Sequence, residues 1–185
     1  MQLKLLEQTL NKFGRYVVKQ ARTNLTKKKR NVSKNLYNSI SYEPFNDEGE
    51  IGVRFKMADY GKFIDQGVKG AGPNELPKGA KNYGKQQAPK SPFAFGRGGS
   101  SKGGGIRKGI DQWVVRKKVF KGKVRDKQGR FIKRKSLVYM ISRSIYLSGI
   151  KPTMFFTKPF NKAYENLPPE IQKAFVTDFE KIIID

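Results

Sequence analysis

Asp59-Tyr60-Gly61-Lys62-Phe63-Ile64-Asp65-Gln66-Gly67 and, far downstream, Gly149-Ile150-Lys151-Pro152-Thr153-Met154-Phe155-Phe156-Thr157-Lys158-Pro159-Phe160 are the stretches on which the reading of this chain turns. Both mix aromatic and aliphatic residues with Gly and Pro, a composition that suits tight contact surfaces better than solvated loops. Between them runs an insert of different character, rich in Gly, Lys and Arg. With 185 residues the chain has room for one core and one large excursion. A single domain is therefore expected, with its core in residues 1–67 and 149–185 and a basic insert in 68–148.

Charge sharpens the division. Of the net charge of +24, residues 80–136 supply +16 from eighteen basic and two acidic residues. Charge so concentrated calls for a polyanionic or acidic partner, or for water.

Periodicity predicts the elements around the insert. Leu3, Leu6, Leu10, Phe13, Val17, Ala21 and Leu25 recur at three- and four-residue steps, which predicts an amphipathic helix ending near Lys27–Arg30. Its back carries Lys4, Lys12, Arg15, Lys19 and Arg22, a pattern that ordinarily marks a solvated face. A short helical turn from Leu36 leads to a strand through Ile40 and Tyr42. Ile51, Val53, Phe55 and Met57 then alternate with Gly52, Arg54 and Lys56 as a half-buried strand, so the two form a hairpin around 46–49. Residues 58–66 place Tyr60, Phe63 and Ile64 on one helical face, with Gly67 as the stop. From Val68 to Gly105 the chain turns Gly/Pro/Lys/Ser-rich and reads as a long structureless loop, either mobile or ordered by a partner, with Pro92, Phe93 and Phe95 as apolar anchors that could pin it down. Helices follow at 106–119, on a face of Ile106, Ile110, Trp113 and Val114, and from Ser136 as cap through Leu137, Met140, Ile141 and Ile145 to Gly149. Pro168 and Pro169 open a last helix with a stripe of Ile171, Phe175, Phe179 and Ile182 beside Ala174.

Catalytic chemistry finds little support. With no His and no Cys, the chain lacks the usual neutral-pH base, a thiolate and the common zinc ligands. Asp59 and Asp65, six residues apart, would diverge on a helix. The glycine tract does not match a phosphate-cradling loop, and the fifteen acidic residues are dispersed. No enzyme activity, cofactor or metal is expected. No stretch approaches the ~18 apolar residues of a membrane span, so no membrane partner is expected either.

Two groups of residues are candidates for binding. Arg116, Lys117, Lys118, Lys121, Lys123, Arg125, Lys127, Arg130, Lys133, Arg134 and Lys135 crowd into twenty residues, interleaved with Trp113, Phe120 and Phe131. Such density would neutralise phosphates of DNA, while an acidic protein partner or plain solvation accounts for the same pattern. Tyr60, Phe63, Ile64, Met154, Phe155, Phe156, Pro159 and Phe160 are candidate oligomer contacts, with ordinary core as the competing reading for Phe63 and Phe160. Phe155 and Phe156, being adjacent, would point to opposite faces if extended, one of them toward a neighbour.

Order and spacing carry a resemblance. Leu36-Tyr37-Asn38-Ser39-Ile40, then Tyr60-x-x-Phe63-Ile64-Asp65-x-Gly67, a variable insert and Pro152-x-x-Phe155-Phe156-x-x-Pro159-Phe160-x-x-Ala163 follow a helical N-terminus. This resembles the tail-completion or neck proteins of tailed bacteriophages, a family that includes tail-terminator-like and head–tail connector subunits. The resemblance implies an α+β subunit with helices on a small antiparallel sheet. It also implies a homo-oligomeric ring around the DNA channel, joined to other neck, portal or tail proteins and touching packaged DNA. Such a subunit is assembled in the host cytoplasm, resides in the virion and catalyses nothing. The alternative is a non-enzymatic protein that binds nucleic acid without sequence specificity.

Overall fold

The computed structural model describes residues 3–29, 33–47, 50–96, 105–118, 124–126 and 128–184, of which 105 and 179–184 in backbone alone. In chain order the elements are α1 (Lys4–Lys27), α2 (Asn35–Ser39), β1 (Ser41–Asp47), β2 (Glu50–Lys56), α3 (Gly61–Gln66), β3 (Val68–Lys69), α4 (Gly105–Arg116), α5 (Arg134–Ser148), β4 (Gly149–Ile150), α6 (Thr157–Tyr164) and α7 (Leu167–Ile184). The fold is α+β, with antiparallel two-stranded sheets β1–β2 and β3–β4 among the described residues. It divides into two compact units, Met1–Gly61 with Met154–Asp185, and Lys62–Thr153. The excursion thus leaves at Lys62 and returns at Thr153, a few residues outside the limits read from composition.

The first unit grows from the amphipathic α1. Its buried residues are Leu6, Leu10, Phe13, Gly14, Val17, Val18, Ala21 and Leu25, the expected face with Gly14 and Val18 added. Gly14 is required by a close approach: a Cβ there would lie 2.3 Å from the Tyr42 ring. The hairpin pairs Ser41 with Lys56 and Asp47 with Glu50, and Glu43 forms an ion pair with Lys56. Phe13, Phe55, Phe156 and Phe160 then pack edge-on or stacked, with ring centroids 5.3–5.9 Å apart. Edge-to-face pairs of this kind add to what area burial alone contributes.

Helix α7 corrects the expected phase. Leu167, Ala174 and Asp178 are buried and Ile171 is half-buried, whereas Phe175 is exposed. The inward stripe therefore runs 167, 171, 174 and 178, with a small residue where a large one was expected; the side chains of Phe179 and Ile182 lie outside the described residues. Asp178 explains the phase. Its carboxylate accepts hydrogen bonds from the backbone N–H of Leu5 and Leu6 at 2.8 and 3.0 Å. These are first-turn donors that α1 cannot satisfy itself, and no N-cap side chain does so. The anionic oxygen also complements the positive end of α1.

In the second unit, Ile110, Val124, Ile132 and Ile141 pack around buried Val114, Leu137 and Val138. Trp113 and Met140, expected on the inner faces, are exposed. Helix α5 begins at Arg134 with Lys133 as its N-cap residue, so Ser136 lies inside the first turn and is not the cap. The stretch after β3 is also not the structureless loop expected. Gln86 bonds both the N–H and the C=O of Gly70 at 2.6 and 3.0 Å. The Ser91 hydroxyl donates to the Gly67 carbonyl at 2.8 Å, and the Phe63 and Phe93 rings meet edge-on at 4.7 Å. The glycine tract 97–104 lies outside the described residues.

Replacing Asp178 with Ala strands two donors at the start of α1 and is expected to destabilise the protein by about 1–3 kcal/mol. Asp178→Asn, which retains an acceptor, is expected to cost less. Urea unfolding followed by circular dichroism checks both; an unchanged midpoint for the Ala variant contradicts the capping role.

Candidate polyanion interface

The facing ends of the two framing segments, residues 62–67 and 149–153, come together in the second unit. Val68 pairs with Ile150 and Lys69 with Gly149. The Thr153 hydroxyl donates to the Ile64 carbonyl at 2.6 Å, and the Thr153 N–H is 3.0 Å from the Asp65 carbonyl. Gly67 and Gly149 both adopt positive φ, 76° and 91°, at points where any Cβ would strike backbone of the other segment. Segments more than eighty residues apart in sequence are therefore one local structure.

Of the candidate contact residues in these segments, most are interior. Phe155 is fully buried and Pro159 is buried; Phe63, Ile64, Phe156 and Phe160 are half-buried in aromatic contacts or beside them. The expectation that Phe155 or Phe156 meets a neighbour is corrected for Phe155, whose ring has no exposed surface. Tyr60 and Met154 remain outward, 44% and 45% exposed. Tyr60 precedes α3 instead of lying on its face. Met154 holds φ at 50°, a left-handed conformation costly for a side chain of its size.

The cationic cluster of the second unit is partly committed to its own fold. Arg134 pairs with Asp111, Arg130 Nε donates to Asp126 at 2.9 Å, and Arg125 donates to the Gly129 carbonyl at 2.6 Å. The Arg125 guanidinium also lies 4.0 Å from the centre of the exposed Phe131 ring. Arg116, Lys117, Lys118, Lys133 and Lys135 are exposed and form no ion pair with a described residue. Lys121, Lys123, Lys127 and Phe120 lie outside the described residues. Two carboxyls in this region titrate low: Asp111 because Arg134 hydrogen-bonds it, and Asp126 because it accepts from the backbone N–H of Arg130.

The polar back of α1, whose pattern ordinarily marks a solvated face, forms one wall of a further basic site. In the first unit an open groove of ≈ 820 Å³ runs beside α1 toward α2 and β1. Four cations line it, Arg15, Lys19, Arg22 and Lys27, with the hydroxyls of Thr23, Thr26 and Ser41, the rings of Tyr37 and Tyr42, Val18 and Ile40, and no carboxylate. Arg22 is fixed in place. Its Nη2 donates to the Ile40 carbonyl at 2.8 Å, and its guanidinium lies 5.2 Å from the Tyr37 ring centre. Its Nε is buried without a hydrogen-bond partner among the described residues. The available signal was the 15, 19, 22 spacing on one helical face, which cannot by itself reveal that a hairpin makes that face a groove wall.

Among the described residues no group of three or more acidic side chains converges as a metal site would require, and no helix is long and apolar enough to cross a membrane. Compared with known proteins, the sequence matches no family model, no curated protein and no solved structure.

Phe155→Ala is expected to cost about 3–5 kcal/mol in stability as a buried aromatic, against at most about 0.5 kcal/mol for Tyr60→Ala, which thermal melts will distinguish. Asp111 and Asp126 supply a pH effect of definite sign. Their folded pKa values lie below the ordinary value of 3.8, so the stabilisation is present above that value and is lost as pH falls through the folded values. Urea midpoints read from Trp113, the single tryptophan, are expected to drop as pH falls from about 5 to about 2, and Asp111→Asn with Asp126→Asn to flatten that dependence. Equal acid sensitivity in wild type and variant contradicts it.

Proposed function

We propose that the chain is a non-enzymatic structural subunit of a phage neck or head–tail connector. In this reading it forms a ring around the DNA channel and joins portal-side proteins to the tail. The observation that carries the proposal is Met154: an exposed apolar side chain on a left-handed backbone, next in sequence to the fully buried Phe155. Backbone strain of about 1–2 kcal/mol at an outward methionine has no use in a free monomer, but it suits a residue held out for a neighbouring surface. Tyr60, Tyr164, Phe175 and Val176 of the same unit are exposed as well, so apolar contact surface is in good supply. Self-association into a ring requires heterologous patches of this sort.

The charge distribution supports the location. The second unit alone carries 23 basic and four acidic residues, which favours placement beside packaged nucleic acid. The unpaired cations of α1 also favour the reading of the chain as a sequence-nonspecific nucleic-acid binder, and the two readings separate by salt. Apolar ring contacts survive about 1 M NaCl, whereas phosphate contacts do not.

Light scattering at about 1 M NaCl is expected to give a mass several times the 21.1 kDa of one chain. Tyr60→Asp with Met154→Asp is expected to lower that mass without lowering the melting temperature. A wild-type protein that stays monomeric at every concentration overturns the ring.

A further inference from the structure

We infer that the groove beside α1 is a binding site for the phosphodiester backbone of nucleic acid, separate from the cationic cluster of the second unit. The inference goes beyond the ring reading and holds for a monomer as well, because it stands on the groove's own geometry.

Three observations carry it. The first is sign. The first unit is only modestly basic, with 16 basic and 11 acidic residues, yet four cations and no carboxylate line its ≈ 820 Å³ groove. None of the four forms an ion pair with a described residue. Like charges gathered without counter-charge are a cost to the fold unless an anion is brought in from outside.

The second is spacing. Arg15 to Lys27 spans twelve residues of helix, about 18 Å at 1.5 Å per residue. At about 3.4 Å of axial rise per nucleotide, that length faces about five phosphates of one strand. Arg15, Lys19 and Arg22 follow one helix face and Lys27 lines the far end of the same groove, an extended array that matches a line of regularly spaced charges better than it matches a single small anion.

The third is preorganisation. Arg22 is braced by the Ile40 carbonyl and the Tyr37 ring, while its Nε lies buried with no partner among the described residues. A guanidinium fixed in this way loses little freedom when an Nη nitrogen meets a phosphate oxygen. Tyr42, wedged against Gly14, holds the opposite wall at a set distance from the helix.

An acidic protein segment is the competing occupant, and the test separates it. The full-length chain would be titrated onto fluorescein-labelled DNA of about 20 nucleotides, single-stranded and duplex, and onto a labelled polyglutamate of similar charge, across a salt series. Arg15→Gln with Lys19→Gln and Lys27→Gln removes three groove cations and leaves the braced Arg22 in place. Lys158→Gln with Lys162→Gln and Lys173→Gln removes the same charge from exposed positions of the same unit outside the groove. The groove variant is expected to bind DNA at least about tenfold more weakly, with a log–log salt slope shallower by about 2.7 on the duplex, while the outer variant keeps the wild-type slope. Equal affinities and slopes for the two variants overturn the inference. So does a groove variant that loses polyglutamate binding alone. Unchanged circular dichroism certifies the fold, and light scattering on the same samples reads ring assembly separately, so loss of one property is not mistaken for loss of the other.

Discussion

Everything in the second unit depends on closing a long excursion at its base. Thr153 places its hydroxyl and N–H on the carbonyls of Ile64 and Asp65, and the two-residue strands Val68–Lys69 and Gly149–Ile150 pair beside it. Closing a loop of this length costs entropy that grows only slowly with residue count, so a few well-made bonds at the neck suffice if the loop also has a core of its own. It does, around Val114, Leu137 and Val138. Glycine at positions 67 and 149 is a condition of the closure, since a side chain at either would collide with the opposing backbone.

In the first unit the corresponding constraint is the start of α1. The helix has no capping side chain of its own, and Asp178 supplies the missing acceptor from the far end of the chain. That one carboxylate fixes the rotational phase of α7, turns Ala174 inward and leaves Phe175 outward. A cluster of Phe13, Phe55, Phe156 and Phe160 then fills the space between α1, the hairpin and α6. The Phe-rich segment after Pro152 is thus chiefly core, with Met154 left exposed beside it.

Much of the fold was legible because periodicity reports burial directly. The face of α1, the alternation of β2 and the glycine stops at Gly67 and Gly149 appear where the pattern put them. The sequence misled where a side chain's partner is remote. Nothing near Asp178 announces that it caps a helix 170 residues away, so hydrophobicity alone put Phe175 in the stripe. Ser136 looked like a cap because Ser often is one, but the N-cap position falls three residues earlier, at Lys133. The ordering of 68–96 rests on Gln86 and Ser91, polar residues whose backbone partners composition cannot identify. For the binding surfaces, charge density in 116–135 was visible at once, yet three of its arginines are engaged locally. The α1 groove was invisible because it needs two elements, and a helical pattern describes only one.

We propose apolar self-association and cationic contact with nucleic acid as two separate properties of the chain, and the ring rests on the first alone. Cryo-electron microscopy of the purified protein in high salt tests it most directly. The account predicts closed rings of one copy number with a central opening; a field of single, unassociated particles would contradict it.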